Sequence, residues 1–211
     1  DGYPYRDLLQ VPWSDPFRPS RIAEVLGSGR MFNVAETTRL QNDDLSIVAR
    51  ALTPLLRNLP LANPASPRAR DLLTGWDFIL DKDSVEAGVY EMFQRRLLAN
   101  AREVIVPAPI RKDAGANFVS TRKVIDSLHS PDGRFGADPV AGRNALVARS
   151  LDEAVAELTK RFGGDMSAWK YGQDKYHHAL IRHPLSNAVN AATLAKLNVG
   201  PVPRGGDGNT V

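Results

Sequence analysis

The segment Trp13-Ser14-Asp15-Pro16-Phe17-Arg18-Pro19-Ser20-Arg21-Ile22 carries the most pointed chemistry in this sequence. Two prolines and an aromatic lead Arg21 to the start of a short apolar-faced helix that runs to Leu26. An arginine held there presents a planar, permanently charged fork that can bind a carboxylate or steady an oxyanion site. The competing reading is a solvated arginine at a helix start, the commoner fate of this residue type.

Other clusters are weaker. Three of the four histidines fall together, at His177, His178 and His183. If this stretch is a strand, His177 and His178 point to opposite faces and do not converge on a metal. They read better as hydrogen-bonding residues. Gln41-Asn42-Asp43-Asp44 is a dense polar cluster able to offer oxygens to calcium, but such a cluster more often caps a helix break. Gly205-Gly206-Asp207-Gly208 lacks the lysine and hydroxyl of a phosphate-binding loop and reads as a tight turn. No serine sits in a Gly-x-Ser-x-Gly elbow, and no carboxylate pair stands out. Taken residue by residue, the chain holds no complete catalytic set.

The elements that position these residues read mainly as helices. Asn33 and Glu36 have capping-box spacing. Leu45, Val48, Leu52, Leu55, Leu56 and Leu59 follow at helical spacing, with Pro54 expected to kink or divide the run. Ser66-Pro67 opens a further helix. Asp83-Ser84 starts a longer one, with Val85, Val89, Met92, Phe93 and Leu97 on one stripe. Val104-Ile105-Val106 reads as a strand closed by Pro107, residues 107–118 as loop, and Val124, Ile125 and Leu128 as helix. Residues 129–142 read as loop. Ser150-Leu151-Asp152-Glu153 has the form of a capping box that starts a helix stopped by Gly163-Gly164. From Trp169 onward short strands and turns are expected.

The 211 residues are 43% hydrophobic and 24% charged, ordinary for a globular protein with a real core. No apolar run approaches the roughly 18–20 residues that span a bilayer, and the first residues show no leader pattern. The net charge of +3 comes from basic residues scattered among acids. That describes solvated helix faces rather than a nucleic-acid footprint. Without cysteine, the chain has no disulfide, zinc-thiolate site or thiol nucleophile. It starts at Asp1 and stops in Gly208-Asn209-Thr210-Val211, a turn leading towards a strand, so a section of a longer polypeptide is expected.

Six motifs in order, over almost the whole chain, resemble the penicillin acylase family, amidases of the amino-terminal-nucleophile (Ntn) class. They are Trp13 to Arg21-Ile22; Leu40-Gln41-Asn42-Asp43 leading into Ala49 to Leu56; Trp76-Asp77 with Asp83-Ser84 and the helix through Leu98; Trp169-Lys170-Tyr171-Gly172; His183-Pro184-Leu185; and Gly200 to Val211. The order and spacing resemble the later part of that family's β subunit. Near Trp169 the family often carries a histidine three residues after the glycine, where this chain has Lys175.

The resemblance implies an α+β fold, the Ntn-hydrolase αββα four-layer sandwich. Residues 1–211 would be part of the β subunit, mainly helical with a few strands and no separate domain boundary. It implies hydrolysis of a linear amide, freeing an acyl group from an amine such as a β-lactam nucleus or homoserine lactone. The family's nucleophile is a serine at the β-chain amino terminus, exposed by autocatalytic cleavage, with its own α-amino group as base. An asparagine side chain and a backbone N–H form the oxyanion hole. Arg21 matches the arginine that holds this site together; the serine and asparagine have no counterpart here. No cofactor is implied, although some members hold structural calcium through an aspartate before the arginine, for which Asp15 and Asp7 are candidates. The implied partners are the α subunit, the remainder of the β subunit and a small amide, not nucleic acid or membrane. The implied location is periplasmic or secreted. The rival expectation is a non-catalytic helical scaffold or interaction module.

Overall fold

A computed structural model describes residues 14–112, 119–173 and 176–211. Its core is a pair of long helices, α5 (Val85–Ile105) and α7 (Pro139–Phe162), packed along most of their length. On α5 the buried positions Val89, Met92, Phe93, Leu97 and Ala101 recur at three- and four-residue steps. On α7 the buried positions Val147, Leu151, Ala154, Val155 and Leu158 follow the same rhythm. Both stripes are the apolar faces that the 3.6-residue period places on one side.

The shorter helices are α1 (Phe17–Leu26), α2 (Val34–Leu40), α3 (Ile47–Leu52), α4 (Ser66–Thr74), α6 (Thr121–His129) and α8 (Ala191–Leu197); α4 and α6 pack on the long pair, and α3 packs on α6 and α1. Their starts are set by local chemistry. Asn33 and Glu36 form the full capping box of α2. Ser46, Ser84, Ser120 and Asn190 accept the N–H three residues on and so cap α3, α5, α6 and α8. The only strands among the described residues are β1 (His178–Ile181) and β2 (Val199–Pro203), an antiparallel pair with a register shift between Ala179 and Ile181. The described part is thus α+β, mostly helical with one small ladder.

Four local expectations are corrected. Val104-Ile105-Val106 is not a strand: α5 continues through Ile105, because Val104 and Ile105 pack against the core from the helix. Tertiary burial outweighs their β preference. Ser150 does not start a helix; it lies inside α7, buried, with its hydroxyl donating to Leu146 O (2.7 Å). Asp152 instead accepts from Ala62 N (2.9 Å) and Asn63 N (3.1 Å). The loop expected over 129–142 ends at Pro139, where α7 begins under an Asp138 cap. Between the late strands lies a helix, α8, rather than turns alone.

Pro54 does divide its run: α3 ends at Leu52 and a single 3-10 turn, Thr53–Leu56, follows. Leu45 lies outside the helix, bridging to Ile79. Gly163 ends α7 with φ of +87°, a conformation glycine adopts without steric cost.

The chain from Trp169 to Tyr171 crosses α5 at Gly88. A β-carbon on Gly88 would lie 1.9 Å from Trp169 O and 3.2 Å from Tyr171 N. Two further bonds fix this crossing: Tyr171 N donates to Ser84 O (3.0 Å), and Tyr176 Oη donates to Gly88 O (2.6 Å). Gly88→Ala should therefore destabilise the fold by about 2–3 kcal/mol, since backbone must move. Gly164→Ala, in open space, should change little. Urea unfolding of the two variants checks the contrast.

Candidate functional site

Arg21 sits one helical turn after Phe17 on α1, and this spacing decides its setting. Phe17 is buried, 5% exposed, and anchors α1 to the core. A side chain four residues later rises over the same face. The lead-in is also pinned, because Asp15 accepts from Thr121 N (2.9 Å) and Arg122 N (3.3 Å) at the start of α6. Trp13, at the head of the motif, lies outside the described residues.

The Arg21 side chain is 17% exposed and faces Asp43, 18% exposed. Its Nε (3.0 Å) and Nη2 (2.6 Å) both donate to Asp43 Oδ2. Its Nη1 donates to Glu24 Oε1 (3.1 Å). Glu24 is in turn gripped by Arg50 through Nη1 (3.1 Å) and Nη2 (2.6 Å). Hydrogen bonds from Arg50, then its charge and that of Arg21, hold the Glu24 carboxyl below its usual range against some burial. A guanidinium has five N–H donors. Among the described residues three are used, which leaves one on each Nη without a described partner. The group borders a cavity of about 430 Å³ between α1 and α2, lined by Val25, Arg30, Glu36, Arg39, Leu40 and Asp43.

The polar cluster 41–44 is the break between α2 and α3. Asn42 Nδ2 donates to Thr38 O (2.9 Å), and Asp43 holds Arg21. Asp44 packs its carboxylate against the Gly205-Gly206 backbone. A β-carbon on Gly205 would lie 2.3 Å from Asp44 Oδ2, and one on Gly206, 2.5 Å from Oδ1. Burial, together with the charges of Asp81, Asp43 and Asp207, pushes the Asp44 carboxyl up, opposed by Arg204. The final turn closes on itself: Asp207 Oδ1 accepts from Asn209 N (2.7 Å) and Thr210 N (3.0 Å), and Thr210 Oγ1 accepts from Asp207 N (2.9 Å). It is a tight turn, held from within by these bonds and from outside by Gly206 N, which donates to Leu80 O (2.9 Å).

The candidate calcium ligands among the described residues are engaged elsewhere. Both Asp15 oxygens cap α6, Asp43 is on Arg21, and Asp7 lies outside the described residues. No group of three or more His, Asp or Glu is gathered for a metal among the described residues. The histidines are likewise dispersed. The His177 ring stacks on Tyr171 at 4.2 Å between centroids, and its Nδ1 lies 3.1 Å from Arg204 O. That carbonyl can only accept, so Nδ1 carries the proton and Nε2 faces Tyr171 Oη at 3.3 Å. Burial lowers the His177 pKa, with a bond to Arg204 O opposing. His183 Nδ1 accepts from Leu185 N (3.1 Å), and His129 Nε2 lies 3.1 Å from Ala51 O. Lys175 lies outside the described residues.

Reasoning from sequence singled out Arg21 but missed its partners. Glu24 lies at the i, i+3 spacing that local reasoning can find. Asp43, 22 positions away, and Arg50, 26 positions from Glu24, are joined only by the fold.

Glu91 on α5 is a second unusual group. Its Oε2 is shielded from solvent without a hydrogen-bond partner among the described residues, and Arg95 lies 4.0 Å from Oε1. Burial, then the Asp207 charge, raises its pKa to about 7, with Arg95 opposing. The folded protein therefore binds this proton more tightly than the unfolded chain. Stability contributed by the protonated carboxyl is present near pH 4.5 and is lost as pH rises through about 7. Glu91→Gln should remove this slope and gain of order 1–3 kcal/mol over the parent at pH 8, with little gain at pH 4.5. Urea unfolding at both pH values reads the difference.

With this geometry in place, comparison with known proteins gives one consistent family. The model of the penicillin amidase family matches residues 1–211. The acyl-homoserine lactone acylase QuiP of Pseudomonas aeruginosa is 28% identical over 241 residues, covering 98% of this chain and 28% of that protein. The protein of the same name from Pseudomonas syringae pv. syringae is 25% identical, covering 98% of this chain and 27% of its own length. One from Pseudomonas fluorescens is 26% identical with the same coverage. The chain thus spans little more than a quarter of the length of these relatives.

Proposed function

Because the chain belongs to the penicillin amidase family, we propose that it is a section of the β subunit of an Ntn hydrolase acting on linear amides, the EC 3.5.1 class. The observation that carries this reading is the set of Arg21: a guanidinium fixed on two carboxylates, with one N–H on each Nη unspent among the described residues, beside a cavity. The names of the relatives support an acyl-homoserine lactone as substrate, with other linear amides of the same form as the wider class.

In the proposed mechanism a serine at the β-chain amino terminus, outside this chain, attacks the amide carbonyl carbon. Its α-amino group takes the hydroxyl proton. The tetrahedral oxyanion is held by an asparagine side chain and a backbone N–H, both also outside this chain. Collapse breaks the C–N bond, and the amine leaves with that proton. Water then hydrolyses the acyl-serine ester. Arg21 orients the asparagine and holds positive charge near the developing oxyanion. Acyl transfer of this kind needs no cofactor.

The proposed assembly is an αββα sandwich to which this chain brings mainly helices, partnered by the α subunit and the rest of the β subunit. Periplasmic or secreted location is part of the same reading. No helix among the described residues is long and apolar enough to cross a membrane.

Arg21→Ala should lower kcat by roughly a hundredfold or more, the scale of losing one oxyanion-site interaction, while lowering the thermal midpoint only by the few degrees that losing its bond to Asp43 costs. Arg21→Lys should not restore it, because an ammonium cannot reproduce the fork on Asp43 and Glu24. Steady-state hydrolysis of an acyl-homoserine lactone by the assembled enzyme checks both; near-normal turnover in Arg21→Ala contradicts the assignment. Amino-terminal sequencing of the active protein should find a chain that starts with serine.

A further inference from the structure

Every polar atom of Asp43 is engaged, and the bonds lead to different elements. Its backbone N donates to Leu40 O (3.2 Å) at the end of α2. Its backbone O accepts from Val211 N (3.2 Å) after the Gly-Gly-Asp-Gly turn. Its Oδ1 accepts from Leu45 N (2.9 Å), and its Oδ2 takes both Nε and Nη2 of Arg21. Next to it, Asp44 O accepts from Leu80 N (2.9 Å), and Gly206 N donates to Leu80 O (2.9 Å).

We infer that Asp43 is the positioning residue for Arg21 in the proposed amide hydrolysis. This rests on the role of Arg21 given above and adds the part that fixes its geometry. Asp43 binds the Nε edge of the guanidinium, which sets the plane of the fork and turns the unspent Nη donors away from itself. Glu24 bonds Nη1 alone, so it steadies the fork without fixing its plane. Asp43 also ties that fork to the terminal turn, since the same residue holds Val211. It does not touch the reacting atoms; it acts through Arg21.

The carboxylate is required rather than an amide, because both oxygens accept. An asparagine at position 43 keeps an acceptor towards Arg21 only by turning its NH2 onto Leu45 N–H, or the reverse. Asp43→Asn in the assembled enzyme should therefore lower kcat between about tenfold and a hundredfold, with KM changed less than about threefold. The double variant Asp43→Asn/Arg21→Ala should be no slower than Arg21→Ala alone, because both act through one group. Added guanidinium ion at millimolar concentration should restore part of the turnover of Arg21→Ala and none in the double variant. This rescue stands even where Asp43→Asn alone lowers stability, since a residue that only held the turn together would not decide it. Wild-type turnover in Asp43→Asn, multiplied losses in the double variant, or equal guanidinium rescue with and without Asp43 each overturn the inference. If Arg21→Ala itself is fully active, it is the reading of Arg21 that has failed; if Arg21→Ala is crippled and Asp43→Asn is not, only the role of Asp43 has.

Discussion

The bond between Asp43 and Arg21 is the constraint on which the rest of the site depends. A guanidinium one helical turn above a buried phenylalanine must either stay in water or find a carboxylate on the protein. Here it finds one across the break between α2 and α3. At fewer than one-fifth exposed on each side, the pair is neither a solvated surface bridge nor a fully desolvated charge. Such a charge-assisted bond contributes about 1.5–3 kcal/mol, enough to hold one arrangement against thermal motion. Its geometry matters more than its energy. A side-on grip fixes the direction of the remaining N–H groups, and a site that stabilises developing charge needs donors fixed before the reaction.

That grip is built from distant parts of the chain. Asp15 pins the start of α1 to α6, Phe17 anchors it, and Glu24 links it to Arg50 on α3. Asp44 seats against two glycines of the terminal turn, where no side chain larger than hydrogen fits without displacing its carboxylate. Gly206 also has φ of +63°, so residue type and backbone shape agree there. The long pair α5 and α7 gives these short elements a rigid base, and Gly88 lets the Trp169 to Tyr171 crossing lie flat on it.

The helix starts at Asn33, Ser84 and Pro67 could be read from the sequence because caps are local chemistry. The apolar stripe of α5 could be read because burial repeats with the helical period. Val104 and Ile105 could not: their side chains favour strands in isolation, and only the packing of α5 decides otherwise. Ser150 and Glu153 mimic a helix start inside α7, where the hydroxyl bonds back to Leu146 instead. For α8 the signal was present in Asn190 followed by Ala-Ala-Thr-Leu-Ala-Lys-Leu, a cap and good helix formers. Arg21 was legible as a charged group on the first short helix, although that helix starts at Phe17 rather than at Arg21; Asp43 as its partner was not. Nothing in a one-dimensional pattern joins positions 22 apart across two helices.

The most direct measurement is the experimental structure of the assembled enzyme, read at a single distance. With Asp43 behind the Nε edge, one Nη of Arg21 should lie about 3 Å from the side-chain oxygen of the asparagine proposed for the oxyanion hole. An Arg21 that faces open solvent, or that lies more than about 6 Å from that asparagine with nothing between them, would contradict the account, since a gap of that size exceeds a direct hydrogen bond.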